Sequence, residues 1–337
     1  MKGKLVSIII PTYNGEKFIE KTLCAVIEQD YEDLEIILVN DGSTDNTLRI
    51  SEEILKKSGR VFMIINHEKN RGVSSARNDG FNASHGEYVC FCDSDDWPQK
   101  NFVSELYKEI EDKKADLVFC GFEYFNPKGN DYKTGMLLEK SLGTPEDYLC
   151  EWSKNKLELW SIWNYIFNKD LLNKIKFPED LNRNEDIEFI FKAIALSSRM
   201  SSVNKILFTY VDHEIHQSLI FTSDRPHHKD FVQEKTAGLR AARCIIRNIK
   251  NKRIKNYALK EFIADRILTQ CKLTARAGDR EYYDRIIKTL RHKKIREVML
   301  CSTAKFFLWR PDWFFKCLML IYAPGLYYRR YSSRKKK

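Results

Sequence analysis

Tyr88-Val89-Cys90-Phe91-Cys92-Asp93-Ser94-Asp95-Asp96-Trp97-Pro98 passes from an apolar run directly into three carboxylates within four residues. A short, nearly continuous apolar run reads as a strand covered on both faces. Three earlier runs share that character: Val6 to Ile10, Leu34 to Val39 and Val61 to Ile65. Between them, Ile19, Leu23, Val26 and Ile27 keep helical spacing, and Ser43-Thr44-Asp45 offers capping side chains for a helix carrying Ile50 and Ile54. This alternation predicts βαβ units around a mostly parallel, Rossmann-like α/β sheet with flanking helices. In such sheets ligands collect beyond the carboxyl ends of the strands. The acidic cluster falls at that edge.

Further along, Phe102, Leu106 and Ile110 predict a helix, Leu117 to Phe119 a strand, and residues 126 to 160 read as irregular. A helix beginning near Asn184 places Ile187, Ile190, Phe191 and Ile194 on one stripe, and a strand from Val203 to Tyr210 follows. From about Phe231 the pattern is helical and basic, with Leu259, Phe262, Ile263 and Ile267 at core spacing. Pro226 and the paired His227-His228 interrupt the pattern, which predicts an α/β domain over 1–222 and a basic helical region over 223–337.

Charge divides the same way. The net charge is +10, yet residues 221 to 337 hold 30 basic and 10 acidic side chains, giving +20, and the remaining 27 and 37 give −10. An acidic first part suits a bound divalent metal, and a basic tail ending in Lys335-Lys336-Lys337 suits an anionic surface. The nine cysteines are odd in number, lack a Cys-x-x-Cys pair, and at Cys90, Cys92 and Cys120 sit in apolar runs. That usage points to a reduced, cytoplasmic setting. The apolar run from Leu5 to Ile10 stops at Pro11, short of the about 7 to 15 residues of a secretory leader.

Three further segments carry polar chemistry. Pro11-Thr12-Tyr13-Asn14 follows the first strand and Asn40-Asp41-Gly42-Ser43-Thr44-Asp45 the second. Such residues end strands and cap helices, but Asp41 can also accept the N3 hydrogen of uracil and Tyr13 can stack on a base. Asn70-Arg71-Gly72-Val73-Ser74-Ser75-Ala76-Arg77-Asn78 reads as a glycine turn entering a short helix. There Arg77 is either a diphosphate contact or an ordinary helix-surface arginine. The carboxylates at 93, 95 and 96 are either a solvated turn or hard oxygen ligands for Mg²⁺ or Mn²⁺.

In this order and at these separations the motifs resemble the family 2 glycosyltransferases of the GT-A fold, densely over residues 5 to 97 and through scattered landmarks to about 220. The resemblance implies a nucleoside pocket built from Pro11, Thr12, Tyr13, Asn14 and Asp41, with Asn70, Gly72, Arg77, Asp93 and Ser94 completing the donor site. It implies Mn²⁺ or Mg²⁺ on Asp95 with Asp93, and inverting transfer with Asp186 as catalytic base in Asn184-Glu185-Asp186-Ile187. Acidic residues at a helix amino end also answer the helix dipole. The segment Tyr210 to Ser218 resembles a late landmark of the family and makes His213 a candidate metal or phosphate contact. Glu185, Trp160, Trp163 and Asn164 fall where such enzymes shape the acceptor pocket.

The partners expected are a nucleotide-sugar donor, with Asp41 favouring uridine, and a glycan or lipid-linked acceptor in surface polysaccharide synthesis. Aromatic residues at 306–309 and 313–328 precede Arg329 and Arg330, making 306–337 a candidate membrane-interface segment or a homodimer surface. The uncharged stretch from Cys317 to Tyr328 has 12 residues, short of the roughly 20 a spanning helix needs. No nucleic-acid motif accompanies the basic tail. A sugar-phosphate nucleotidyltransferase would carry a glycine-rich, lysine-containing loop where Pro11 to Asn14 stands. A catalytically silent assembly subunit need not keep Asp41, Asp95 and Asp186.

Overall fold

The structure is a computed structural model that describes residues 3–136, 143–152, 161–181 and 184–211, and parts of 237–332. The chain folds as two compact units, Met1–Ser218 and Leu219–Lys337. The first opens with β1 (Val6–Thr12), α1 (Ile19–Ile27), β2 (Leu34–Asn40), α2 (Thr47–Lys57), β3 (Val61–Asn66), α3 (Val73–Ala83) and β4 (Tyr88–Phe91). It continues through β5 (Trp97–Pro98), α4 (Phe102–Lys113), β6 (Leu117–Asn126), β7 (Asp131–Met136), α5 (Pro145–Trp152), β8 (Tyr165–Asn168), α6 (Lys169–Leu172), α7 (Glu185–Leu196) and β9 (Met200–Val211).

One mixed sheet results, in the order β3-β2-β1-β4-β8-β6-β9-β5, with β7 paired on β6. β1 to β4 are mutually parallel. β8 is antiparallel to both β4 and β6, and β6 is parallel to β9. The carboxyl ends of β1, β2, β4, β6 and β9 therefore share one edge, which gathers the polar segments. Every residue of β1 and β2 is buried, as their apolar runs require. α3 closes onto these strands because Gly80 has no side chain: a Cβ there would stand 2.5 Å from Ile9 Cγ2. The packing of this helix thus sets the height of the loop before α3 over the sheet edge.

Three expectations need correction. β3 is the sheet's edge, so its apolar run is not covered on both faces, and Val61 is 68% exposed. Residues 126 to 160 are not uniformly irregular, since β7 forms a hairpin with β6 and α5 follows. At α2 the expected capping side chain is present, since Asp45 Oδ1 accepts the Thr47 amide at 3.0 Å. α7 is buried around most of its circumference, including Glu188, Phe189 and Ala193, so its core face is wider than one stripe. Phe91, Phe167 and Phe177 pack around Phe189, with the Phe177 and Phe189 rings stacked at 3.8 Å.

In the second unit a helix covers Lys252–Leu259 and another Pro324–Ser332. Tyr283 donates its hydroxyl to the Pro324 carbonyl at 2.7 Å. Phe262, Ile263 and Ile267 lie outside the described residues. Among the described residues no helix is long and apolar enough to cross a membrane.

Candidate active site

The loops after β1 and β2 fasten to each other. The Asp41 amide donates to the Thr12 carbonyl at 2.8 Å, the Asn14 amide to Ser43 Oγ at 2.9 Å, and the Thr44 amide to Asn14 Oδ1 at 2.8 Å. Asn14 takes a left-handed backbone with φ 50°, a conformation asparagine tolerates better than most residues. Tyr13 is left 49% exposed beside this joint, and Thr12 is buried with its hydroxyl lacking a hydrogen-bond partner. A flat exposed ring next to an unsatisfied hydroxyl suits a base and its sugar.

Asp41 is buried and almost fully engaged. Its Oδ1 accepts the Arg71 amide at 2.9 Å and lies 2.7 Å from His67 Nδ1, and its Oδ2 accepts the Gly72 amide at 2.8 Å. Two glycines permit this. Gly42 has φ 72°, and a Cβ on it would stand 2.5 Å from the Lys69 carbonyl carbon; Gly72 has φ 91° and opens α3. Asn70, between them, is exposed.

Arg77 sits one turn into α3 and is 4% exposed. Its Nη2 donates to Asp93 Oδ1 and its Nη1 to Glu185 Oε1, each at 2.8 Å. One guanidinium thus ties the end of β4 to the start of α7, the latter contact joining residues 108 apart in the chain. Burial alone would lower the Arg77 pKa, but the charges of Asp93 and Glu185 outweigh it and hold the guanidinium above its ordinary value. The cation keeps two acidic segments close that would otherwise repel.

Three nearby carboxyls, Asp95, Asp96 and Asp186, hold their protons tightly. Burial, with the Asp93 charge second, pushes Asp95 up to about 7. Burial likewise raises Asp96 well above the carboxylate range, with Asp95 and Asp93 adding to it. Asp96 Oδ1 accepts the Val211 amide at 2.9 Å, and its buried Oδ2 has no hydrogen-bond partner. Asp186 is half-buried, accepts its neighbour's amide from Ile187 at 2.7 Å, and is pushed up to about 8 by burial and then by Glu185, against the pull of Arg77. Excess negative charge with an unsatisfied buried oxygen is a setting that a cation would relieve. Among the described residues no three His, Cys, Asp or Glu side chains form a complete metal cluster. Mg²⁺ and Mn²⁺ are commonly held by one or two carboxylates plus substrate phosphates, and the acidic edge fits an ion bound in that way.

The structure brings Thr12, Tyr13, Asn14, Asp41 and Gly72 together on one side of the edge, and Arg77, Asp93 and Glu185 on the other. Pro11 pairs with Val39 inside the sheet, and the Ser94 carbonyl accepts the Thr22 hydroxyl at 2.9 Å. Trp163 and Asn164 are interior. Trp163 is 7% exposed and stacks on Phe208 at 4.7 Å, and Asn164 donates to the Cys120 carbonyl at 2.9 Å. Any part they take in acceptor recognition would run through neighbours. Trp160 and His213 lie outside the described residues. His67 and Asp79 were not anticipated: His67 Nε2 and Arg71 Nη1 both reach Asp79 Oδ2, at 3.0 Å and 2.7 Å. A lone histidine after a strand carries no periodic signal, and only the folded chain sets it against Asp41.

Against this geometry, the family model for glycosyl transferase family 2 matches residues 7–180. The chain belongs to that family. It is 35% identical over 212 residues to the uncharacterized glycosyltransferase EpsJ of Bacillus subtilis (strain 168), a match covering 61% of this chain and 60% of that relative's length. In structure it resembles S. aureus TarS 1–349 in complex with UDP-GlcNAc, with TM-score 0.73 and 22% identity over 98% of this chain and 90% of the other. A mannosyltransferase from Pyrobaculum calidifontis, in complex with GDP-Man and Mn²⁺, gives TM-score 0.54 at 17% identity over 96% and 88%. At these identities the two structures share the GT-A fold with this chain.

Proposed function

We propose that the chain is an inverting, metal-dependent glycosyltransferase that moves a sugar from a UDP-sugar to a hydroxyl of a glycan or lipid-linked acceptor. The observation that carries this reading is the Arg77 bridge, which sets Asp93 and the neighbour of Asp186 on either side of one buried cation. Donor diphosphate and acceptor hydroxyl would then approach from opposite sides. Inversion at the anomeric carbon calls for a base on the face away from the leaving diphosphate. Asp186, with its pKa near 8, binds a proton far more tightly than a solvated aspartate. Asp41 and Tyr13 would hold the base, and Asp95 with Asp93 would hold Mn²⁺ or Mg²⁺. Such an ion, when bound, neutralises charge developing on the leaving diphosphate. UDP-GlcNAc in TarS, and GDP-Man with Mn²⁺ in the mannosyltransferase, support a nucleotide-sugar donor on this fold. In the second unit, Tyr322 and Leu326 are 61% and 60% exposed, four residues apart and close in sequence to Arg329 and Arg330. That arrangement supports contact with an anionic membrane surface.

The test is release of nucleoside diphosphate from UDP-, GDP- and dTDP-sugars with and without Mn²⁺, alongside Asp95→Asn and Asp186→Asn. Turnover of a UDP-sugar that needs the ion and Asp95 is the expected result. Absence of turnover or binding with every donor, with Asp95→Asn indistinguishable from wild type, overturns the assignment.

A further inference from the structure

An ionised carboxylate offers about four lone-pair sites, two on each oxygen. Three of those on Asp41 are filled from within the protein: both on Oδ1, by the Arg71 amide and His67, and one on Oδ2, by the Gly72 amide. Because a carboxylate only accepts, His67 Nδ1 is the donor in that pair. The ring cannot swing away easily, since Nε2 is 3.0 Å from Asp79 Oδ2, Arg71 reaches the same oxygen, and the side chain is only 6% exposed. Residues following β2 and β3 and a side chain on α3 thus converge to leave Asp41 a single acceptor site, on Oδ2.

We infer that His67 is a specificity-determining positioning residue: by filling the second lone pair of Asp41 Oδ1, it limits Asp41 to reading one N–H. This rests on the proposal that Asp41 reads the base. Uracil and thymine present one imide N–H between two carbonyls and match a single acceptor. Guanine presents N1–H beside an exocyclic N2–H, a pair that engages a carboxylate best through both oxygens. With Oδ1 filled, the second guanine donor meets no lone pair and is desolvated without return. The two backbone amides are fixed by the loop, so the side chain at position 67 is the part of this filter that substitution can remove.

The experiment is calorimetric titration of the full chain with UDP and with GDP, in Mn²⁺, for wild type, His67→Leu, His67→Asn and His67→Gln. A donor to a charged acceptor is worth about tenfold in affinity. Wild type is expected to favour UDP over GDP by about tenfold or more. His67→Leu should lower that ratio by about tenfold, chiefly by letting GDP gain. His67→Asn, whose amide nitrogen replaces Nδ1, should keep the ratio. His67→Gln, whose donor sits nearer the Nε2 position, should lose it, so the Asn and Gln pair decides the matter if the leucine variant does not fold. Equal weakening of UDP and GDP in the Leu and Gln variants, with the ratio intact, overturns the role of His67. The base reading itself fails separately, if wild type does not distinguish UDP from GDP or if Asp41→Ala leaves UDP affinity unchanged.

Discussion

Replacing Asp186 by asparagine should stabilise the fold while stopping transfer, and the two effects have one cause. Asp186 has its pKa near 8 in place of the ordinary 3.8. Between those values the native state keeps a proton that the unfolded chain has released. The stabilising contribution of the protonated carboxyl is therefore complete below about pH 4 and is lost as pH rises towards 8. Fully realised, the difference would be about 6 kcal/mol. A half-buried group beside Arg77 and reachable by water realises a fraction of that, about 1–2 kcal/mol. At roughly 2–4 °C per kcal/mol for a domain of this size, Asp186→Asn should raise the midpoint by about 2–8 °C at pH 8. The gain should fall to about a third of that by pH 5, where only the unfolded aspartate is ionised, and vanish below about pH 4. Transfer should fall by about 10²–10⁴, the usual contribution of a general base, with UDP affinity nearly unchanged. Thermal melts from pH 5 to 8, with single-turnover transfer, measure both. A midpoint gain that does not depend on pH, a loss of stability at pH 8, or transfer within tenfold of wild type would refute the reasoning.

Substitutions at three other places probe separate parts of the molecule. Arg77→Leu leaves Asp93 and Glu185 facing each other without their cation and should cost about 3–5 kcal/mol in chemical denaturation. Arg77→Lys keeps the charge but loses the fork, and should fold while turning over at least about tenfold more slowly. Gly42→Ala places a Cβ at φ 72° and 2.5 Å from the Lys69 backbone; it should cost about 1–3 kcal/mol and weaken UDP binding by displacing Asp41. Tyr322→Glu with Leu326→Glu should reduce cosedimentation with anionic vesicles and leave the melting of the first unit unchanged, whereas equal sedimentation would remove the membrane contact.

The parallel half of the sheet was legible because β1, β2 and β4 are nearly continuous in apolar residues, and the expected runs agree with the strands to within two residues. The edge strand β3 read identically from its residues. Whether a strand is central or marginal depends on what lies beside it, and pairing across the sheet has no local signature. β8 escaped for the same reason: Tyr165–Asn168 is four residues long and becomes a strand only between β4 and β6. Trp163 looked like an acceptor contact because interior and pocket aromatics share a composition, and its stacking on Phe208 settles its placement.

Arg77 shows where reading along the chain stops short. Its position near the start of a helix suggests a diphosphate contact, and folded it grips two carboxylates instead. The same helix supplies the Gly72 amide to Asp41, Asp79 to His67 and Arg71, and Gly80 to the close approach over Ile9. A helix that touches Asp41 at its first turn and the acidic strand end one turn later cannot shift without moving both. Packing at Gly80 fixes that helix against β1, so the spacing between the Asp41 loop and the acidic cluster is set in the hydrophobic core. The polar residues supply the chemistry at the edge, and the distance between them is a property of how tightly α3 lies on the sheet.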